Sequence, residues 1–503
     1  MHPHIRPVDL AIVVAYLAGI TLFGLRFRRR ERSMRSYFLA GREISWWAIA
    51  LSIVAAETST LTIISVPGLA YGGDFGFLQI VLGYLLGRIV ICILFLPRYF
   101  RGELLTAYQL IGQRFGANLH RLTALLFLFM RAAAEGVRVF AVSIVVAIAI
   151  GTGDMASIAI ITALTLIYTF EGGLAAVIWT DVVQMFIYFA GSLAALITLG
   201  QRVQGGWHVI HAVASGAGKL TIFHFAFDLT TTYTFWAGLI GGCFLTMASH
   251  GTDQLMVQRL LAAKSLRESR LALLASGVVI FVQFSAFLII GAGLYVFYRQ
   301  TAPGTAFSST DRIFPQFIVE QMPAGIAGLI LAAILAAAMS NLSAALNSLS
   351  STTVIDFYLK FRPEASERQC ARLSRSATFF WAVVLCALAY LSRSGGHVVE
   401  LGLAIASVAY GSLLGVFLLG TLTQRATERG AMLGMCFGLV VNLLLWKQSA
   451  SLTFRIAALS ITLPKIAWTW YVAVGSIATF LVGFAASLAF PRPLVPSKGD
   501  AHP

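Results

Sequence analysis

Charge is scarce in this chain. Only 11% of its 503 residues are Asp, Glu, Lys or Arg, while 58% are hydrophobic and the mean hydropathy is +0.83. A soluble domain carries roughly 25% charged residues, so a water-soluble globule of this length is excluded. Cysteine is sparse as well. The five thiols (Cys92, Cys243, Cys370, Cys386, Cys436) stand singly in or beside apolar runs, which excludes a disulfide framework or a zinc site built on cysteine. No H-E-x-x-H motif and no partnered nucleophile is present, which argues against an intramembrane hydrolase. No ten-residue alternation marks a membrane barrel. The N-terminal stretch MHPHIRPVDLAIVV has no small-residue cleavage site after it, so the first apolar segment is expected to remain as an anchor.

Long apolar runs are what the chain does have. About 20 apolar residues cross a bilayer as a helix. The spacing predicts thirteen crossings: 8–25, 46–71, 77–96, 122–150, 156–170, 174–199, 235–255, 271–297, 325–354, 371–391, 398–422, 431–446 and 468–490. The net charge of +15 does not indicate a nucleic-acid partner, because the basic residues lie between apolar runs. Of the 36 Lys and Arg, 24 fall on one side of this arrangement, nine on the other and three within helices. By the positive-inside rule the N-terminus is extracytoplasmic and the C-terminus cytoplasmic. No stretch remains that would form a separate soluble domain.

A charge inside a membrane helix costs about 2.5–3.5 kcal/mol or more, so each one needs a reason. The second run holds Glu57 among Ser52, Thr58, Ser59, Thr60 and Thr62, with Pro67 and Gly68 after them. Polar residues beside helix breakers predict a discontinuous helix with free carbonyls near the midplane. Arg131, Glu135 and Arg138 share one helical face and are expected to pair. Asp181 is a lone acid in the sixth run, which either caps a neighbour or meets a cation. The seventh run is interrupted by Gly241–Gly242 and by Ser249, His250, Gly251 and Asp253, with His250 expected to hydrogen-bond at the cytoplasmic end. In the ninth run Ala337, Ser340, Ala344, Asn347 and Ser351 form one stripe, with Ser343 at its edge. Small residues every four positions suit close helix packing. Packing alone does not account for so many hydroxyls, which also suit a hard cation such as Na⁺.

These residues, in this order, resemble the sodium:solute symporter family. The matching pieces are YFLAGREISWWAIALSIVAAETS (37–59), PGLAYGG (67–73), EGGLAAVIWTDVVQ (171–184), HGTDQLMVQR (250–259) and AAAMSNLSAALNSLSS (336–351). The resemblance implies an all-α integral membrane protein with the inverted-repeat fold of the bacterial leucine-transporter type. Helices 2–6 and 7–11 would form the two five-helix repeats, with helices 2 and 7 broken. The corresponding divisions are 1–45 (anchor and basic loop), 46–200, 201–232 (extracytoplasmic loop), 233–424 and 425–503. The resemblance also implies a sodium ion held by the carbonyls of Ala55, Thr58 and Ala337, the Ser340 hydroxyl and position 341. Many members have Ser or Thr there, whereas this chain has Asn341. Asp181 and Ser343 are similar to part of a second sodium site, but Ala344 stands where a further hydroxyl would help, so a complete second site is not expected.

The expected activity is sodium-coupled uptake of a small organic solute by a membrane-embedded monomer that rocks between two faces. Glu57, Ser59, Thr62, Gln79 and Arg131 are the candidate solute contacts, with Tyr84 and Arg138 able to face the same cavity. That mixture allows a carboxylate, an amino acid or a zwitterion. The alternatives are a proton-coupled permease using Glu57 or Asp181, and a non-transporting membrane sensor.

Overall fold

The computed structural model describes residues 5–28, 43–101, 107–168, 174–302, 307–358, 362, 364–394, 397–448, 452–456 and 459–490. The basic loop between the first and second segments falls almost entirely outside the described residues. After α1 (Pro7–Arg28) the second apolar run forms two helices, α2 (Trp46–Glu57) and α3 (Thr60–Gly72), bent by 64° at the break. The break falls at Thr58–Ser59, while Pro67 sits inside α3. Thr58 leaves helical geometry at φ −81°, ψ 65°, and Ser59 is extended. Polar side chains and a non-helical dipeptide therefore interrupt this helix, and the proline does not.

The chain continues through α4 (Leu78–Leu94), α5 (Leu96–Phe100), α6 (Ala107–Phe115), α7 (Ala117–Ile150), α8 (Asp154–Tyr168), α9 (Leu174–Arg202) and α10 (Gly206–Gly216). A glycine in the left-handed region, Gly151 at φ 73°, ends the long α7. A π-helical turn over Ala237–Gly241 leads into α11 (Gly242–Gly251). Helical geometry then breaks at Thr252–Asp253. Asp253 restarts it as α12 (Gln254–Leu261), its carboxylate accepting the Leu255 amide. The seventh run is thus interrupted near its end, and helix resumes to Leu261. Arg259, placed in a cytoplasmic loop by hydropathy, lies inside a helix.

Then follow α13 (Leu266–Thr301), α14 (Ile313–Gln321), α15 (Ile326–Thr352), α16 (Glu367–Leu391), α17 (Val398–Leu422), α18 (Glu428–Lys447) and α19 (Tyr471–Ala489). Between α18 and α19 an antiparallel pair, β1 (Leu452–Ile456) and β2 (Leu459–Leu463), departs from the all-helical expectation. Among the described residues nine helices are long and apolar enough to cross a membrane, ten if the bent α2–α3 pair is one span.

Close helix contact is made by residues without side chains. A Cβ on Gly83 of α4 would strike the Gly238 carbonyl of the π-turn, and one on Gly291 of α13 would strike the Pro67 carbonyl. Small residues of this kind let membrane helices approach and pack where lipid offers no hydrophobic driving force. The α2–α3 break is enclosed in this packing. Helix α13 runs against α2, α3 and α4, while α15 lies against α1, α7, α9 and α16.

Candidate functional site

A cavity of about 160 Å³ opens beside the break. Glu57, Ser59 and Thr62 reach it from α2–α3, Arg131 and Arg138 from α7, His250 from α11, Arg259 from α12 and Asn341 from α15. Tyr84, Thr246, Ser249, Asp253 and Tyr410 complete its polar lining, and Val399 and Gly402 of α17 close another wall.

The break exposes backbone groups to this space. The Thr58 amide still bonds to the Val54 carbonyl (2.7 Å), and the Thr62 hydroxyl bridges back to the Glu57 carbonyl (3.1 Å). The Ser59 side chain makes no cap bond, so α3 starts with its positive end uncapped. The Thr58 hydroxyl donates to Gln283 Oε1 on α13 at 2.9 Å. This contact anchors the break from behind, and it joins residues 225 apart in sequence.

All but Asp253 of the charges around the cavity are paired. Glu57 bonds Arg88, which is wholly buried, and His250 Nε2 lies 3.4 Å from the same carboxylate oxygen. Arg88 also reaches the Tyr84 carbonyl and the Ser276 hydroxyl, both at 3.3 Å. His250 is therefore a buried partner of Glu57, with its Nδ1 held by Ser249 at 2.8 Å. It lies in the last turn of α11, as a helix-end position, and its bonds there are to Ser249 and the Glu57–Arg88 pair.

On α7, Arg131 and Arg138 approach one oxygen of Glu135 at 2.8 and 2.6 Å. This is the pairing that their i, i+4 and i, i+3 spacing predicts. Arg131 Nε is buried and has no hydrogen-bond partner. Asp181 is not a lone acid. Arg259 Nη2 lies 3.1 Å from its Oδ2, and the Ser52 hydroxyl donates to the same oxygen at 2.6 Å. The sequence reading missed Arg259 because hydropathy ended its helix too early. It missed Arg88 as the partner of Glu57 because the two lie on different helices.

The other candidate residues divide clearly. Glu57, Ser59, Thr62, Arg131 and Asn341 come together around the cavity. Gln79 does not join them. Its amide donates to the Gly76 and Tyr233 carbonyls (3.1 and 3.3 Å), and its oxygen accepts the His224 amide (3.0 Å). It fastens the loop before the π-turn because its position near the start of α4 faces that loop. Ala55, Thr58, Ala337 and Ser340 lie outside the cavity lining. Ala55 and Thr58 still border the break, where no described backbone amide outside the helices bonds to either carbonyl. Ser343 is buried with an unpartnered hydroxyl on α15.

The family model described as the sodium:solute symporter family matches residues 37–438. The sodium-coupled monocarboxylate transporter 2 of Bos taurus is 27% identical over 440 residues, 86% of this chain and 71% of that protein. The sodium/sialic acid symporter NanT of Aliivibrio fischeri is 26% identical over 487 residues, 95% of this chain and 93% of its own. A solved substrate-bound, outward-open Na⁺-coupled sialic acid symporter superposes with a TM-score of 0.81 at 26% identity. That match covers 97% of this chain and 99% of the other.

Proposed function

The chain belongs to the sodium:solute symporter family, a sodium-driven secondary transporter and not an enzyme, and on that premise we propose that it imports a small carboxylate-bearing solute. The observation that carries this reading is Arg131. Its buried Nε donor is unpartnered at the cavity, beside the uncapped start of α3. A guanidinium fork and a helix N-terminus both favour an anion, and a carboxylate satisfies both.

Charge balance supports the same reading. Four arginines (Arg88, Arg131, Arg138, Arg259) are matched in number by four carboxylates in and just behind the cavity wall: Glu57, Glu135 and Asp181, which pair with them, and Asp253, which accepts the Leu255 amide and the Tyr410 hydroxyl. Loading one Na⁺ adds a positive charge to a site that is otherwise balanced. A monoanionic solute restores neutrality in a medium where uncompensated charge is expensive. Sialic acid and monocarboxylates, named for two relatives, also carry a carboxylate.

In this reading Arg131 holds the carboxylate, and Ser59, Thr62 and Glu57 meet the rest of the solute. The sodium ion sits on the carbonyls of Ala55, Thr58 and Ala337, the Ser340 hydroxyl and the Asn341 side chain. Asp181 and Ser343 contribute no complete second site, because Arg259 already compensates Asp181. Thirteen crossings with the N-terminus outside, arranged as two inverted five-helix repeats over 46–200 and 233–424, let a monomer expose the cavity to each face in turn.

The test is uptake into proteoliposomes of the full-length protein under an imposed Na⁺ gradient. Small carboxylates are expected to compete and to move with Na⁺ one to one without net charge. Competition by sugars or amines alone, or uptake that survives replacement of Na⁺ by a proton gradient, overturns the proposal.

A further inference from the structure

A small side chamber opens off the main cavity, bounded by α3, α7, α8 and α15. It shares Ser59, Arg138 and Asn341 with the main cavity, and adds Thr60 and Glu135. Its far wall is apolar, from Val139, Val142 and Ile161. About 20 Å³ within it is open to the centre of a water molecule. One water needs roughly 10–15 Å³ by that measure, so the chamber takes a single group of that size.

Thr60 gives the chamber its chemistry. It is 4% exposed, and its Oγ1 is buried with no hydrogen-bond partner. A threonine in a membrane helix ordinarily donates to the carbonyl four residues earlier, as Thr123 does to Leu119 and Thr162 to Ile158. Thr60 is the first residue of α3, immediately after the break, so no helical turn precedes it. Thr60 lines the chamber, and its hydroxyl is left without a partner. A buried hydroxyl without a partner is unfavourable, so a polar group that enters the chamber is held by it.

The rest of the lining selects which group. Arg138 and Asn341 donate, and Glu135 and the Asn341 oxygen accept. One carboxylate is shared by two arginines, so the surroundings disfavour an ammonium group. The volume excludes a second carboxylate. A hydroxyl fits, since it is neutral, water-sized and able to donate and accept together.

We propose that this chamber is a hydroxyl subsite, and that Thr60 makes the transporter prefer hydroxylated carboxylates over their unsubstituted parents. The proposal rests on the carboxylate reading above. With the carboxylate at Arg131, a hydroxyl a few carbons away reaches past Ser59 into the chamber.

The experiment measures affinities of purified full-length protein in NaCl by calorimetry. The probes are propanoate, butanoate and pentanoate, each with its 2-, 3- or 4-hydroxy counterpart. At least one hydroxy acid should bind about 10-fold more tightly than its parent, the scale of one neutral hydrogen bond to a buried partner. Thr60→Val, of nearly the same shape, should bring that pair to within twofold of each other. It should do so by weakening the hydroxy acid and leaving the parent acid unchanged, which also verifies folding. Thr60→Ser should keep the preference. If carboxylates bind but no hydroxy acid is preferred, or the preference survives Thr60→Val, the subsite is overturned and the carboxylate reading stands. If no carboxylate of either kind binds while the protein still responds to Na⁺, the carboxylate reading falls and the subsite with it.

Discussion

Arg259 and Asp181 are 78 residues apart in sequence and 3.1 Å apart in space. The contact joins α12, which follows the second break, to α9. Ser52 of α2, preceding the first break, donates to the same carboxylate. Both broken segments are therefore tied to one side chain. A guanidinium occupies the acid that a second sodium would need.

The first prediction follows from that occupancy. Sodium activation of transport should be hyperbolic, with a Hill coefficient near one. Asp181→Asn should leave the coefficient there while lowering stability, because it strands Arg259. Removing one partner of a buried ion pair costs about 3–5 kcal/mol. The double variant Asp181→Asn with Arg259→Gln should regain much of the lost thermal stability in detergent. A coefficient near two that falls to one in Asp181→Asn would establish a second sodium after all.

Ser340→Ala tests the proposed sodium site on α15. Losing one buried oxygen ligand costs about 1–3 kcal/mol, roughly a 5- to 150-fold weaker apparent sodium affinity. Ser340 is half-buried and lies outside the cavity lining, so solute affinity at saturating Na⁺ should change little. Unaltered sodium activation in a well-folded variant counts against the assignment.

Same-helix relationships could be read in the sequence, and cross-helix ones could not. Arg131, Glu135 and Arg138 pair because helical spacing puts them on one face. The helix break was legible because Glu57 and its neighbouring hydroxyls stand in an apolar run that cannot satisfy them in an ordinary helix. By contrast, Glu57 finds Arg88 and His250 on two other helices, and nothing local encodes which helices become neighbours. The partners of Gln79 were not legible for the same reason. Its polarity suggests a solute contact, and the fold brings His224 and Tyr233 of the 220–235 loop to it. Arg259 was hidden by hydropathy, since a buried paired arginine and a loop arginine look alike until the partner is in view.

His397 should make the contact at the start of α17 pH-sensitive. It stands just before α17, with Nδ1 3.1 Å from the Thr310 hydroxyl and 3.8 Å from Asp311 Oδ1. Asp311 is buried, and its other oxygen accepts the Val398 amide at 2.9 Å. The nearby Asp311 carboxylate raises the His397 pKa from its ordinary value, against an opposing effect of burial. A raised histidine pKa gives stability that is fully present below the unfolded value and is lost as pH rises through the folded one. The first turn of α17 should therefore be more protected from hydrogen exchange near pH 5.5 than near pH 8, after correction for intrinsic rates. His397→Gln should abolish the difference, and an unchanged difference would assign it to another group.

Glu57 carries the most demanding prediction, because it faces two ways. One carboxylate oxygen is committed to Arg88 and His250, while the side chain as a whole lines the cavity. Glu57→Gln therefore does two things at once: it changes the cavity surface and leaves Arg88 charged and buried without its counterion. The second effect should dominate folding, at about 3–5 kcal/mol for a broken buried pair. Neutralising both residues, in Glu57→Gln with Arg88→Gln, separates the effects by restoring charge balance. If Glu57 also contacts solute, the double variant should recover thermal stability yet retain a raised solute KM, with sodium binding still measurable without solute. If Glu57 serves only to neutralise Arg88, stability and KM should recover together. A proton-carrying role predicts something different from both: transport whose pH dependence flattens in every variant lacking the Glu57 carboxylate. We expect the raised KM, because the Glu57 carboxylate stands at a helix break beside Ser59 and Thr62 in the cavity wall. Full recovery of KM in the stable double variant would remove Glu57 from the solute site and leave it a structural counterion.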